Sequence, residues 1–445
     1  MLPSLGKKDD EVVLDGVSLD QVAREFGTPL FVFSGGALRD RVSAFRTAFN
    51  SAWPRFQLMP SLKACPILAI RQLLTELDCG CDVFGPGELE GALRAGVEPS
   101  RISVNGSIKD ESIVRRALAV GARIVIDSPR EASLINAIAG ELSVEATVLL
   151  RLKPLMPDLN AASDFAPEIQ IGELTQRIKY GIPNSELHDI VDAWPSFSSL
   201  TCVGFHAHMG RHSKRLEVWA AWAEAVATQV SSLQHLVADC VHPVINMGGG
   251  LASERDADLD VIYRDDRTPS LKEWAEVICG ALRFNLADSD RAWSDWILEL
   301  EPGRGLHSDS GLHLTTVKNL KHEKSGREQR WAEVDTSEVF LDLHGVPDTC
   351  PLEVLAVKKS SDNRVMTYDV VGLTCNAEML MLDVQLPELT EGDVLAFLPT
   401  GAYLEPMAAN FNALPRPGAV LIDNGVACLI KRHETVEDVF ARDII

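Results

Sequence analysis

The sequence predicts an α/β protein, namely a closed (β/α)8 barrel of the TIM type followed by a β domain. Between residues 56 and 300, short apolar segments of strand character alternate with amphipathic helical segments. This alternation is typical of a parallel sheet covered on both faces, and eight such strands over roughly 250 residues satisfy a closed barrel. From residue 312 on, the helical segments stop and strand-like segments follow one another. A doubly wound open sheet is the structural alternative to the barrel.

Three segments follow from this pattern. Residues 1–35 form an N-terminal segment whose strand, at 29–33, is expected to join the β domain. Residues 36–308 form the barrel, which begins with a helix over 36–49, and residues 309–445 form the β domain. The predicted barrel strands are 56–62, 79–84, 101–105, 123–127, 146–152, 202–208, 243–247 and 296–300. The predicted strands of the β domain are 313–317, 330–334, 352–357, 366–371, 393–397 and 419–423.

Two stretches interrupt the regular pattern. Residues 154–179 show little apolar periodicity, and residues 319–330 are rich in charged side chains. Long segments without periodicity are usually irregular or functional loops. We therefore predict a mobile loop at the first stretch and a mobile charged excursion at the second.

The charge balance excludes several classes of partner. The chain has 42 Lys and Arg against 64 Asp and Glu, a net charge of -22. Such a surface repels phosphate backbones and anionic lipids, so neither nucleic acid nor membrane partners are expected. The first residues lack the apolar run of a signal peptide, and the nine cysteines show no metal-binding spacing. These features predict a cytoplasmic protein without a metal site or a disulfide framework.

Polar residues follow several predicted barrel strands, at the end where such barrels place their chemistry. Lys63 follows the first strand, where its amine either extends into solvent or lies in a site and forms a Schiff base with an aldehyde. Other residues of interest follow strands six, seven and eight: His208, Gly248, Gly249, Gly250, Glu301, Gly303 and Arg304.

Each of these residues has a functional and an ordinary interpretation. The three glycines let backbone N–H groups approach a phosphate, or they form a tight turn. His208 lies against a cofactor ring, or it is a buried core histidine. Glu301 holds a pyridine nitrogen protonated, or it pairs with Arg304. Arg304 binds a phosphate or a substrate carboxylate, or it forms a structural ion pair. Together with Lys63 they predict a site for a phosphorylated aldehyde cofactor.

Several motifs carry a resemblance to a known family. They are SLKACP around Lys63, HAHMG, NMGGGL, EPGRGL, VVGLTC ending at Cys375, and GAYLEPMAANFN. In these motifs, over nearly its whole length, the chain resembles the fold-type III pyridoxal-phosphate-dependent amino-acid decarboxylases. That family includes diaminopimelate, ornithine and arginine decarboxylases, and its barrel is like that of alanine racemase. The diaminopimelate branch is the most similar in its motifs.

The resemblance implies the cofactor pyridoxal 5'-phosphate and a role for each matching residue. Lys63 resembles the lysine that binds the cofactor covalently, and His208 the histidine that stacks on its ring. Glu301 resembles the partner of the pyridine nitrogen, and Gly248–Gly250 the phosphate loop. Gly303 and Arg304, in the EPGRGL motif, are further candidates for cofactor binding. Arg304 is also a candidate for substrate binding.

The resemblance also implies a homodimer with composite active sites. Cys375 resembles a catalytic cysteine supplied by the neighbouring subunit, and Tyr403 a tyrosine that reaches the cofactor and the substrate across the same interface. The ordinary interpretations are a small buried hydrophobe at Cys375 and a core aromatic at Tyr403.

Three departures from the family pattern concern the substrate. The sequence has Cys375-Asn376-Ala377 where the diaminopimelate branch has Cys-Glu-Ser, so Asn376 replaces a substrate-facing carboxylate. Arg211 stands where many members have serine. The segment after Asp335 lacks the arginine and tyrosine that usually hold a distal carboxylate.

We therefore expect a decarboxylase acting on an amino acid or an amino-acid conjugate, in a specialised biosynthetic pathway. An ordinary meso-diaminopimelate decarboxylase of lysine biosynthesis is the first alternative, and a non-catalytic binding protein is the second. A racemase is disfavoured because racemases of this fold pair the pyridine nitrogen with arginine, whereas this chain has Glu301.

Overall fold

The computed structural model describes residues 2, 4–157, 159, 171–209, 213–253, 267–287, 289, 291–341, 352–358 and 365–445. The chain divides into two compact units. One comprises Met1–Asp40 with Leu306–Ile445, and the other comprises Arg41–Gly305. Among the described residues, no helix combines the length and the apolar character needed to cross a membrane.

The N-terminal residues begin with a small antiparallel sheet. Its strands are β1 (Leu5–Lys8), β2 (Glu11–Leu14) and β3 (Val17–Ser18). Helix α1 (Leu19–Phe26) follows, because the Ser18 side chain accepts a hydrogen bond from the Gln21 N–H and caps the first turn. Strand β4 (Leu30–Ser34), which is wholly buried, and helix α2 (Gly35–Ala52) complete this region.

The second unit is a barrel of eight parallel strands. They are β5 (Phe56–Leu58), β6 (Cys81–Val83), β7 (Ile102–Val104), β8 (Arg123–Ile126), β9 (Ala146–Arg151), β10 (Leu200–His206), β11 (Val244–Asn246) and β12 (Ile297–Leu300). Seven parallel pairings join them, from β6 through β12 to β5. The circle closes where Ser61, just after β5, pairs with Asp82 of β6. This closure confirms the predicted barrel and excludes the open sheet.

Helices cover the outside of these strands, and their boundaries follow from capping residues. Asp110, Ser128 and Ser270 each accept a hydrogen bond from the first turn of the helix that follows them. The helices are α3 (Leu68–Glu76), α4 (Pro86–Arg94), α5 (Glu111–Val120), α6 (Pro129–Leu142), α7 (Ile171–Arg177), α8 (Asn184–Ala193), α9 (Leu216–Leu233) and α10 (Leu271–Asn285).

Helix α7 corrects one prediction. A mobile loop was expected over 154–179, but residues 171–177 are helical. A helix of seven residues is too short to show a clear apolar period in the sequence. Residues 158 and 160–170 of the predicted loop lie outside the described residues.

The C-terminal residues form the predicted β domain, and the N-terminal strand completes it. β4 lies between β13 (Gly311–Glu323) and β19 (Gly418–Asp423) in one sheet. The remaining strands are β14 (Gln329–Val334), β15 (Glu353–Ala356), β16 (Val365–Val371), β17 (Met379–Pro387), β18 (Val394–Leu398) and β20 (Val426–Lys431). The short helices are α11 (Arg304–His307), α12 (Glu338–Leu341), α13 (Leu404–Met407) and α14 (Val436–Val439).

The prediction of a mobile charged excursion at residues 319–330 is wrong. β13 continues to Glu323 and pairs with β14, so this stretch is an antiparallel hairpin. Its polar side chains pair across the strands: Lys321 forms an ion pair with Glu333, and Asn319 donates a hydrogen bond to the same carboxylate. The backbone ladder and these cross-strand contacts stabilise the hairpin without apolar periodicity, which the sequence pattern alone does not reveal.

His313 of β13 is a fully buried histidine in the β domain. Its Nε2 lies 2.7 Å from the Thr336 hydroxyl, and its ring meets the edge of Phe31. Burial lowers the pKa of the imidazole to about 3. The folded protein therefore keeps His313 neutral at a pH where the unfolded chain, with an ordinary histidine pKa near ~6.5, becomes protonated.

This difference predicts a loss of stability in acid. Because the folded pKa is the lower one, the stability present above pH ~6.5 is lost as the pH falls, at up to ~1.4 kcal/mol per unit. Between pH ~6.5 and ~5, the free energy of unfolding of the wild type should fall by about 2 kcal/mol more than that of His313→Gln. Urea unfolding measures this difference. His188→Gln, at an exposed position of α8, is the control. Equal pH dependence in wild type and His313→Gln would contradict this prediction.

Candidate active site

Lys63 lies in a 3-10 turn, Leu62–Ala64, immediately after the point where the barrel closes. Its Nζ is 2.5 Å from the Ser61 hydroxyl and 3.1 Å from Asp82 Oδ2. The lysine side chain is 45% exposed, whereas Asp82 is 3% exposed. The amine is therefore held by a buried carboxylate while part of the side chain remains accessible.

Asp82 is the buried counter-charge of Lys63. Burial alone would raise the pKa of this carboxyl group. The Lys63 ammonium, together with hydrogen bonds from Ser61 and Asn105, outweighs burial and lowers the pKa below its usual value. Asp82 therefore remains a carboxylate at neutral pH and orients the lysine amine. The sequence analysis assigned this residue no role.

Glu301 accepts hydrogen bonds from side chains at three other strand ends. The nearest donor is Asn246 Nδ2, 2.8 Å from Oε1. Asn105 Nδ2 lies 3.2 Å from Oε1, and His206 Nε2 lies 3.2 Å from Oε2. Asn105 also donates to Asp82 Oδ1 at 2.6 Å. A continuous line of side chains therefore connects Lys63 to Glu301 across the barrel.

The glycine loop after β11, Gly248–Gly250, requires glycine at each of its three positions. Gly248 has φ +67°, and a Cβ there would lie 2.6 Å from His208 Nδ1. A Cβ on Gly249 would lie 2.4 Å from the Glu301 carbonyl oxygen, and Gly250 has φ +103°. The Gly248 carbonyl accepts from the Glu301 N–H at 2.9 Å. The loop is thus fixed against the end of β12, and its backbone approaches closer than any side chain would allow.

His208 is partly buried beside this loop. Its Nδ1 accepts a hydrogen bond from the Gly249 N–H at 3.1 Å, which places the ring proton on Nε2. Burial, followed by the positive charges of Arg151 and Lys63, holds the pKa of the imidazole well below its ordinary value. The ring is therefore neutral at physiological pH, as suits stacking on a cofactor.

The structure places the other predicted barrel residues at the same strand ends. Gly303 is buried after β12, and Arg304 is partly exposed at the first position of α11. Their predicted roles stay predictions. Arg211 lies outside the described residues.

The predicted residues of the β domain lie in two places: Cys375 is on the exposed loop between β16 and β17, and Tyr403 is half-buried immediately before α13. Cys375 is exposed, so the interpretation as a small buried hydrophobe does not hold. Its N–H donates to Asn412 Oδ1 at 3.0 Å, and Asn412 Nδ2 lies 3.5 Å from its sulfur. Tyr403 has φ +70°, a left-handed conformation that a bulky residue adopts only when its surroundings enforce it. The roles of Cys375 and Tyr403 stay predictions.

Sequence reasoning missed the carboxylate partner of Asn376. Asn376 Nδ2 donates to Glu338 Oε1 at 2.8 Å, and Glu338 is 8% exposed. The side chain that replaces the expected glutamate therefore contacts a glutamate on α12. The contact joins residues 38 positions apart, so only the folded β domain reveals it.

Comparison with known proteins decides the family. A family model described as "Pyridoxal-dependent decarboxylase, pyridoxal binding domain" matches residues 36–308, more than half of the 445 residues. The chain belongs to the pyridoxal-dependent decarboxylase family. This result confirms the resemblance, the fold class and the pyridoxal-phosphate cofactor predicted from the sequence.

Relatives of this decarboxylase match it over nearly its whole length. The diaminopimelate decarboxylase of Pseudomonas aeruginosa is 30% identical over 436 residues, covering 98% of this chain and 97% of the relative. That of Bacillus subtilis is 28% identical, covering 97% and 94%. The crystal structure of diaminopimelate decarboxylase from M. jannaschii, in co-complex with L-lysine, has a TM-score of 0.87 at 26% identity. It covers 100% of this chain and 98% of that one.

The described residues fit pyridoxal phosphate. Lys63 offers a primary amine beside a buried carboxylate, and the glycine loop leaves backbone accessible where a Cβ would clash. Glu301 adds an anionic oxygen pair held by neutral donors. Within the described part of the chain, the buried Asn105 Oδ1 and His206 Nδ1 have no hydrogen-bond partner, so polar capacity remains at the site.

Proposed function

We propose that this decarboxylase removes the α-carboxylate of meso-diaminopimelate, with Lys63 and Glu301 as its principal cofactor-binding residues. The main structural support for these cofactor roles is a line of hydrogen bonds. It runs from Lys63 through Asp82 and Asn105 to Glu301. An anion at Glu301 favours decarboxylation over racemisation, because it favours a protonated pyridine nitrogen. The full-length similarity to diaminopimelate decarboxylases supports the substrate.

When bound, pyridoxal phosphate supplies an electron sink for the charge left by loss of CO2. The residues of the chain would orient the cofactor and return a proton to the substrate. Asp82 and Ser61 would hold the Lys63 amine for bonding to the cofactor aldehyde, and neutral His208 would contact the cofactor ring. Glu301 would keep a proton on the pyridine nitrogen. Cys375, or Lys63 itself, returns a proton to the substrate Cα as general acid.

The proposal includes a homodimer in which each active site draws residues from both subunits. Cys375 and Tyr403 belong to the unit formed by residues 1–40 and 306–445, whereas Lys63 belongs to the barrel unit. The exposure of Cys375 and the left-handed conformation of Tyr403 support a role outside the core of their own unit.

Subunit exchange tests the shared site. Lys63→Ala and Cys375→Ala proteins should each be nearly inactive. After exchange in equal amounts, half of the dimers are hybrids with one intact site of two, so about a quarter of wild-type activity should return. Lys179→Ala, which changes an exposed lysine, should stay active and serve as the control. No recovery, with exchange verified by a tag on one subunit, would contradict the shared site.

A second candidate substrate follows from Asn376. A carboxylate there would bind a distal ammonium by a charge-assisted bond worth about 1.5–3 kcal/mol, and asparagine lacks that charge. This favours an amino acid with a neutral, amidated or conjugated distal end, in a specialised pathway. The similarity to diaminopimelate decarboxylases favours the first candidate, and the Glu338 carboxylate beside Asn376 retains a negative charge at this loop.

Steady-state kinetics separate the two candidates. With meso-diaminopimelate we expect kcat/KM of about 10⁴ M⁻¹s⁻¹ or above, the ordinary range for an enzyme and its substrate. The same assay on a distally amidated analogue should give a lower value. A kcat/KM on diaminopimelate that is about 100-fold or more below the value for the amidated analogue would instead establish the second candidate.

A further inference from the structure

Asn246, the last residue of β11, is fully buried between the glycine loop and two carboxylates. Its Oδ1 accepts the Gly248 N–H at 2.8 Å. This contact fixes the orientation of the amide, because only the oxygen can accept. Nδ2 then donates to Glu301 Oε1 at 2.8 Å and to Glu299 Oε2 at 3.0 Å. Both hydrogens of one amide nitrogen are thus used by two different carboxylates.

Glu299 has its own cation. Arg123 binds it through both terminal nitrogens, at 3.0 Å and 2.5 Å, and the two side chains are 9% and 2% exposed. A bidentate pair of this kind compensates a buried carboxylate. Glu301, by contrast, is held by the Asn105 and Asn246 amides and by His206. The two neighbouring carboxylates therefore have different partners: Glu299 has a bidentate arginine, whereas Glu301 has two amides and an imidazole.

This difference has a consequence for a cationic ligand atom. Two buried carboxylates joined through one nitrogen repel each other unless one of them is compensated. Because Arg123 compensates Glu299, the charge of Glu301 remains available to a protonated ring nitrogen. Asn246 also hydrogen-bonds to Gly248, so that one side chain contacts both the glycine loop and Glu301.

We propose that Asn246, backed by the Arg123–Glu299 pair, is a positioning residue that fixes Glu301 and the glycine loop in one geometry for pyridoxal phosphate. The inference rests on the cofactor roles proposed above for Glu301 and the glycine loop, but not on the identity of the substrate. It separates two tasks: Asn246 holds both the loop and the carboxylate, whereas Arg123 and Glu299 support Asn246 from behind and set the charge near Glu301.

Two variants of the full-length holoenzyme test this separation, with pyridoxal phosphate labelled with ¹⁵N in its ring. Nuclear magnetic resonance without substrate reports whether the ring nitrogen is protonated. In Asn246→Ala we expect the ¹⁵N resonance to move towards that of the neutral ring, and the Kd for the cofactor to rise at least about tenfold. In Glu299→Gln, Arg123 loses its carboxylate partner, and its positive charge then competes with the ring nitrogen for Glu301. The ¹⁵N resonance should therefore move in the same direction, while the Kd for the cofactor changes less than about threefold.

Asn136→Ala is the matched control, since it also removes a side-chain amide that binds a backbone N–H of the barrel unit. It should leave both the resonance and the Kd at wild-type values. Wild-type resonances in folded Asn246→Ala and Glu299→Gln would overturn the proposal. If Asn246→Ala does not fold, Glu299→Gln decides: an unchanged resonance there overturns the proposal, and the predicted shift supports it. Because no substrate is present, failure to decarboxylate diaminopimelate has no bearing on this result.

Discussion

The pairing of Ser61 with Asp82 closes the barrel, and the proposed chemistry depends on that closure. It brings the first and second strands together at their carboxyl-terminal ends, so that the Lys63 amine reaches the Asp82 carboxylate. From Asp82, the Asn105 amide extends the same contact to Glu301, immediately after the eighth strand. An open sheet would leave the first strand without this second neighbour, and the lysine without its counter-charge.

Closure also gathers several buried carboxylates at one end of the barrel, and the groups that compensate their charge limit which substitutions the site tolerates. Asp82, Glu299 and Glu301 are all buried. Removing one partner from a buried ion pair costs about 3–5 kcal/mol, because the other charge remains uncompensated. Asp82 has Lys63 and Glu299 has Arg123. Amide and imidazole groups hold Glu301, and this is the carboxylate proposed to meet a cation from the cofactor.

The sequence predicts those parts of the structure that depend on local pattern. Short apolar strands at regular intervals predict the barrel, and strand ends with polar residues predict Lys63, His208, Gly248–Gly250 and Glu301. Contacts between distant positions are not visible in this way. Arg123 and Glu299 are 176 residues apart and lie within strands, where charged residues are not expected to be buried. The hairpin of β13 and β14 escaped prediction for a related reason, since cross-strand pairing rather than apolar periodicity stabilises it.

The central claim is that one barrel end holds pyridoxal phosphate between Lys63, the glycine loop and Glu301. A crystal structure of the chain with this cofactor tests the claim most directly. We predict continuous density from Lys63 Nζ to the aldehyde carbon, the phosphate against Gly248–Gly250, and the pyridine nitrogen within hydrogen-bond distance of a Glu301 oxygen. A cofactor attached to another lysine, or one whose ring nitrogen faces a residue other than Glu301, would contradict it.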